Sequence, residues 1–302
     1  MLRHVVERYV WLQQSTGYSY RKHGYILRSF CSYAEERGDQ FVRANTAIAW
    51  ARLGPTANAR QNRLRHVRHF ARLMHTEDAR HEIPPAYTFG PVLPRRRPHI
   101  FSAREINSLL QGAAAIGPRG SLRPRVYATL FGLLAVTGLR ISEALALDFG
   151  DITADGLVIR ETKFRKSRLI PLHESSCEAL DRYLLARTRC AAGNDAVFLS
   201  VRGTRLGYQS SFTIFRQIVG RLKIGECASS RRPRLHDLRH TFAVRSIEDC
   251  SWDREALARH MLSLSTYLGH ARLANTYWYL QATPRLLAEI AARTEALAGR
   301  RC

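Results

Sequence analysis

Lysine is almost missing from this 302-residue chain: Lys22, Lys163, Lys166 and Lys223 stand against 43 arginines. Acidic residues are scarce as well, 25 against 47 basic ones, which leaves a formal net charge of +22. A surplus of that size disfavours cationic partners and suits a polyanion, whose phosphates release counterions when arginines neutralise them. No run approaches the roughly 18 apolar residues of a membrane span, so no membrane partner is expected. Met1–Glu7 has no signal-peptide core, which predicts a cytoplasmic location. The cysteines at 31, 177, 190, 227, 250 and 302 form no CxxC pair, so reduced thiols are expected rather than disulfides. No glycine loop of the Walker type is present, and no nucleotide cofactor is expected.

What is there is enough for two domains, with 45% apolar and 24% charged residues. Residues 1–88 read as helical. Leu2, Val5, Val6, Tyr9 and Leu12 recur at helical spacing, as do Ile26, Leu27, Phe30, Tyr33 and Ala34. After Gly54-Pro55-Thr56 a third pattern carries Leu64, Val67, Ala71 and Met74. The same stretch holds Arg60, Arg63, Arg65, Arg68 and Arg72, with no acid between Ala57 and Thr76. Such a helix suits contact with a phosphate backbone. Residues 89–100 read as an extended linker, within a stretch holding Pro84, Pro85, Pro91, Pro94 and Pro98 and the basic triplet Arg95, Arg96 and Arg97. Ser102 and Glu105 then match a capping box, so a second domain is expected over 101–302.

That second domain mixes helices with a little sheet. An apolar helix through Val126, Leu130, Leu133 and Leu134 reaches Thr137-Gly138, and a further helix carries Arg140 and Glu143 onward. Leu157-Val158-Ile159 and Arg168-Leu169-Ile170 flank a basic tip, Lys163 to Ser167, and predict a β-hairpin. Helices are expected near 174–188 and 209–222, with a short strand at 196–199. His236 opens another helix, and Thr283-Pro284 starts a tail helix.

His236 and His240 stand one helical turn apart, as in the HExxH zinc signature. However, the acid between them is the shorter Asp237, Arg239 intervenes and no third ligand is near, so no metal is expected. The pair His236 and Arg239 is the better reading. At i and i+3 they share a helix face, and a guanidinium can grip two phosphate oxygens. Arg140 supplies a second fork in an otherwise apolar segment and needs an anion; Glu143 is its alternative partner within the fold.

Together these motifs resemble the tyrosine recombinase, or phage integrase, family. Its members carry an Arg in TGLR-(I/V)-SE, a Lys in a β-hairpin, an HxxR helix, a His in LGH and a Tyr nine residues later. Here Thr137–Glu143, Lys163, His236–Arg239, Leu268-Gly269-His270 and Tyr279 match in that order. The resemblance implies a mainly α fold: a helical N-terminal core-binding domain, then a mostly α catalytic domain with a small antiparallel β-sheet. It implies Arg140, Lys163, His236, Arg239, His270 and Tyr279 as the catalytic set, with no cofactor. The reaction implied is site-specific cleavage and rejoining of DNA strands through a covalent 3′-phosphotyrosine. Double-stranded DNA is the implied partner, bound by a synaptic homotetramer, with accessory recombinase subunits possible in the family. Asn275–Leu280 is similar to transposon-borne members, and Ile247–Leu262 is longer than in chromosome-resolving Xer members. Both favour integration, excision or transposition of a mobile element. A type IB topoisomerase, or a DNA-binding regulator without catalysis, would share the charge and much of the fold.

Overall fold

The computed structural model describes residues 2–17, 20–90, 97–118, 120–160, 167–189, 193–226, 232–250, 253–270 and 273–282. It divides into two compact units at Arg96/Arg97.

The first unit packs four helices among its described residues: α1 (Leu2–Ser15), α2 (Arg21–Glu35), α3 (Ala44–Arg52) and α4 (Ala57–Glu77). Their apolar faces meet in a core of Val6, Tyr9, Val10, Leu27, Phe30, Trp50, Leu64, Val67, Phe70 and Met74. Thr56 caps α4 by accepting from the Ala59 N–H at 3.1 Å, which satisfies one of the helix's orphan donors. Helix α3 has no counterpart in the sequence-based expectation. Its buried residues are Ala47, Trp50 and Ala51, and two alanines give little hydrophobic period to read.

The second unit begins with α5 (Ala103–Ala114), closed by a full capping box. The Glu105 N–H donates to Ser102 Oγ at 3.2 Å and the Ser102 N–H donates to Glu105 Oε2 at 2.7 Å. Helix α6 (Arg123–Thr137) is buried on most sides, and α5 packs beside it. After α6 come α7 (Ile141–Ala146), a 3₁₀ turn (Phe149–Asp151) and strands β1 (Ile152–Thr153), β2 (Gly156–Ile159) and β3 (Arg168–Ile170). The strands form one antiparallel sheet in the order β1-β2-β3, with Leu157 opposite Ile170 and Ile159 opposite Arg168. The basic hairpin tip lies outside the described residues.

Helices α8 (Glu174–Thr188), α9 (Tyr208–Arg221), α10 (His236–Glu248), α11 (Arg254–Leu268) and the short α12 (Ala274–Tyr277) follow, and α12 runs into a 3₁₀ turn, Trp278–Ala282. Residues 196–199 are not the strand their apolar run predicts. Ala196 and Leu199 make only single bridges, to Asp148 and Arg205, because the backbone turns back at once through 200–203. The tail helix expected after Thr283 lies outside the described residues.

Two cores frame α10. Phe101, Leu130, Phe131, Leu134, Phe198, Phe215 and Leu238 belong to the larger one. Ala243, Val244, Ile247, Met261, Leu264, Leu268 and Tyr279 form the smaller. The start of this unit is also tied to α10: the Phe101 N–H donates to Thr241 Oγ1 at 2.9 Å, and Arg245 Nη2 donates to the Phe101 carbonyl at 2.8 Å. Helix α10 is therefore held rigidly on two sides.

Candidate active site

Helix α6 ends at Gly138, whose φ of +61° is the left-handed conformation that glycine adopts without a Cβ penalty. A Cβ there would also lie 2.5 Å from the Phe242 ring, so conformation and space both require glycine. The reversal presents the Gly138 carbonyl to Arg239 and places Arg140 at the mouth of α7.

Glu143, one turn into α7, organises the cations. Its carboxylate accepts from the Arg140 backbone N–H at 3.0 Å and from Arg140 Nη1 at 2.6 Å. It also accepts from Arg168 on β3, Nη1 at 3.2 Å and Nη2 at 2.7 Å. Burial alone would raise the Glu143 pKa, but the bonds from Arg168 and Arg140 outweigh it and hold the carboxyl below its ordinary value. Arg140 Nη2 donates in addition to the Gly269 carbonyl at 3.0 Å, which ties α7 to the end of α11.

Arg239 is only 2% exposed. Its Nη1 donates to the Gly138 carbonyl at 2.7 Å, and its Nη2 donates to the Leu268 carbonyl at 2.6 Å and to His270 Nε2 at 3.1 Å. Burial and the nearby Arg140 lower its pKa to about 10, which still leaves it charged at neutral pH. Because a guanidinium only donates, His270 Nε2 must be the acceptor. The proton of this imidazole therefore sits on Nδ1 and donates to Thr276 Oγ1 at 2.7 Å. Burial and the arginines push both His270 and His236 down to about 4, so both rings are neutral at neutral pH.

Tyr279 is buried, 2% exposed, with its ring stacked on His270 at 6.0 Å between centroids. Its phenol oxygen lies 3.2 Å from His240 Nδ1. His240 in turn meets His236 edge-on at 4.6 Å. Tyr277 ends α12 and is 46% exposed, so it is not enclosed with Tyr279. Two residues of a 3₁₀ or α turn point far apart, and only one of the two tyrosines can reach inward.

Arg140, His236, Arg239, His270 and Tyr279 thus converge on one site, although they come from three segments of the chain. Lys163 lies outside the described residues. Of the guanidiniums of Arg140, Arg168 and Arg239, only the first two pair with the Glu143 carboxylate, so the cluster retains positive charge suited to an anion. Arg168 and Thr276 escape motif reading, since their roles rest on contacts with Glu143 and His270. The arginine of Arg168-Leu169-Ile170 and the threonine of Asn275-Thr276-Tyr277 were the available signals.

The other arginines singled out in the sequence divide. Arg60 Nε donates to the Gly54 carbonyl at 2.8 Å, and Arg68 Nε donates to the Pro84 carbonyl at 2.9 Å. Arg63 lies over the Trp50 ring at 5.3 Å. These three help hold the first unit together. Arg65, bonded to the Asn62 side chain at 2.6 Å, and Arg72 are exposed, and at seven residues apart they share one face of α4. Arg97 is exposed; Arg95 and Arg96 lie outside the described residues.

A mostly helical unit with a three-stranded antiparallel sheet, carrying two arginines, two histidines and an inward tyrosine, is the architecture of the tyrosine recombinases. The phage integrase family model matches residues 100–285, and the chain belongs to that family. It is a tyrosine-type site-specific recombinase. It is 36% identical over 304 residues to y4rB of Sinorhizobium fredii, assigned by name to the integrases/recombinases, across 97% of this chain and 96% of that one. It is 34% identical to the tyrosine recombinase XerD of Mycobacterium tuberculosis over 69% of this chain and 65% of that one. The fold is similar to that of the Tn1549 transposon integrase solved with transposon right end DNA, at TM-score 0.65 and 17% identity, covering 95% of this chain and 99% of that one. XerH recombinase bound to its difH substrate is similar at TM-score 0.64 and 18% identity, covering 90% of this chain and 79% of that one.

Proposed function

We propose that this chain cleaves and rejoins duplex DNA through a 3′-phosphotyrosine at Tyr279, serving integration, excision or transposition of a mobile element. The observation that carries this reading is the convergence of Arg140, Arg239, His270 and the inward Tyr279 on one positively charged site. Attack of a phenol on a phosphodiester concentrates charge on the non-bridging oxygens, and Arg140 and Arg239 stabilise it. His236 offers a hydrogen bond at the same centre, and His270 holds the Arg239 guanidinium toward it. Lys163 protonates the departing 5′ oxygen; arginine, with a pKa above about 12, is a poor donor, which accounts for a lysine in an arginine-rich chain. The covalent link conserves the energy of the broken phosphodiester, so rejoining needs neither nucleotide nor metal.

In this reading residues 1–88 form a core-binding domain on DNA, 89–100 a basic linker and 101–302 the catalytic domain. Arg65, Arg72 and Arg95–Arg97 contact phosphates, whereas Arg60, Arg63 and Arg68 are engaged within the first unit. The protein acts in the cytoplasm as a homotetramer on DNA. The mobile-element role rests on the sequence of Asn275–Leu280 and on the near full-length likeness to y4rB, against a partial one to XerD.

The test is incubation with a labelled, nicked suicide duplex from the flanks of the encoding gene. The wild-type chain and Tyr277→Phe should form a covalent adduct, whereas Tyr279→Phe should bind the duplex and form none. Peptide mapping of the adduct to Tyr277 would overturn the assignment.

A further inference from the structure

Phenol attack on phosphorus has to dispose of a proton, and the site holds three imidazoles that could receive it. His270 has both ring nitrogens committed: Nε2 accepts from Arg239 and Nδ1 donates to Thr276. His236 meets its neighbour edge-on, ring against the His240 ring. His240 is different, because its Nδ1 lies 3.2 Å from the Tyr279 oxygen itself. The contact is held from several sides. His240 packs on Trp278 at 5.2 Å and on the Tyr279 ring at 5.4 Å, and Tyr279 stacks on His270. Tyr279 also lies close enough to Arg239 for the two to interact electrostatically, so a phenol bonded to His240 stays near the guanidinium that receives the phosphate.

We infer that His240 is a further catalytic residue, the base that takes the Tyr279 proton during cleavage and returns it during rejoining. The inference rests on the reading of Tyr279 as nucleophile. In cleavage the phenol O–H bond breaks and its proton passes to His240 Nδ1 as the O–P bond forms. The bond from phosphorus to the 5′ oxygen breaks, and that oxygen takes a proton from Lys163. Rejoining reverses each transfer: the 5′ hydroxyl returns its proton to Lys163 and attacks, and the released phenolate recovers its proton from His240. A free phenol has a pKa near 10, so at neutral pH such an acceptor matters. General bases of this kind contribute typically about 10²–10⁴-fold.

The experiment measures single-turnover cleavage of the same nicked duplex. His240→Asn places an amide oxygen near the position of Nδ1, keeping the hydrogen bond while removing the basicity. It should bind the duplex as wild type does and cleave about 10²-fold more slowly. Replacing Tyr279 with a fluorotyrosine, whose phenol is more acidic, should restore most of that loss in His240→Asn and change the wild-type rate little. In His240→Ala, added imidazoles should speed cleavage, and the more basic ones should do so more strongly. A structural role predicts no dependence on the acidity of the phenol or the basicity of the added imidazole. Near wild-type cleavage by His240→Asn, or equal rates with tyrosine and fluorotyrosine in the His240→Asn background, overturns the inference. Should His240→Asn fail to bind the duplex, the His240→Ala series decides by the same criterion, and His240→Gln repeats it if both fail. Tyr279→Phe separates the two ideas: an adduct in that variant sinks the nucleophile itself, whereas its absence together with a fast His240→Asn sinks only the base.

Discussion

At the scale of single residues, the site is a set of charges placed by backbone carbonyls. Arg239 is anchored by the carbonyls of Gly138 and Leu268, and Arg140 by that of Gly269, so loop ends aim both guanidiniums together with the side chains of His270 and Glu143. Two predictions belong at this scale. The first concerns Lys163 as general acid. Lys163→Arg should bind the duplex normally and cleave slowly, and a 5′-bridging phosphorothiolate should restore cleavage because its sulfur leaves without a proton. Rescue seen with Lys166→Arg and not with Lys163→Arg transfers the role to Lys166. The second concerns acid stability. Desolvation and neighbouring cations push His236 and His270 down to about 4 in the fold, and His66 of the first unit, half-buried near His23, is also pushed down to about 4. Unfolded histidines titrate near about 6.5, so between those values the unfolded chain binds more protons. Their contribution is therefore fully present above about pH 6.5 and declines as pH falls toward 4. Melting temperature should drop steadily over that window, and a flat profile would contradict the suppressed protonation of these rings in the fold.

At the scale of elements, the glycine turns decide whether the anchoring carbonyls point correctly. Gly138→Ala should be the more damaging for its size. A non-glycine left-handed residue costs about 1–2 kcal/mol, and the clash with Phe242 adds an overpacking cost of about 1–3 kcal/mol. For a domain of this size each kcal/mol lowers Tm by about 2–4 °C, so calorimetry should show a fall of roughly 4–20 °C. Adding Phe242→Leu should recover the overpacking part and leave the strain. An unchanged Tm in Gly138→Ala would show that the turn is not held as described. This scale also shows how far the sequence could be read. Helices with a strong apolar stripe or a capping signal, such as α4, α5 and α8, are legible, because period and cap are local properties. So is the pairing of β2 with β3. Helix α3 is not, since alanine carries little period, and neither is the collapse of the 196–199 strand into two bridges. The motif residues Arg140, His236, Arg239, His270 and Tyr279 stand out by spacing. The grip of Glu143 on Arg168, 25 residues away, and of His240 on Tyr279, 39 residues away, depends on packing between elements and leaves no local trace.

At the scale of the whole molecule, the question is where a net charge of +22 does its work. Arginines with protein partners are already engaged: Arg60 and Arg68 hold backbone carbonyls, Arg63 covers Trp50, and Arg140 and Arg168 share Glu143. Positions with acidic neighbours, such as Arg28 with Glu7 and Arg205 with Asp148, offer little net field. The triplet Arg95-Arg96-Arg97 lies among prolines, and its nearest acidic residues in sequence are Glu82 and Glu105. Its charge thus has little acidic compensation in the sequence around it, and phosphate contact is the role expected of it. Each phosphate neutralised adds about 0.9 to the slope of log affinity against log salt, so Arg95, Arg96 and Arg97→Ala together should flatten that slope by up to about 2.7. Because phosphates carry no sequence, the triple variant should lose affinity equally for the cognate flank duplex and for a scrambled duplex of the same length. Titrations of both duplexes across a salt series measure this directly. A loss confined to the cognate duplex, or an unchanged slope, would mean that the triplet reads bases or does not touch DNA, and the charge surplus would have to act elsewhere.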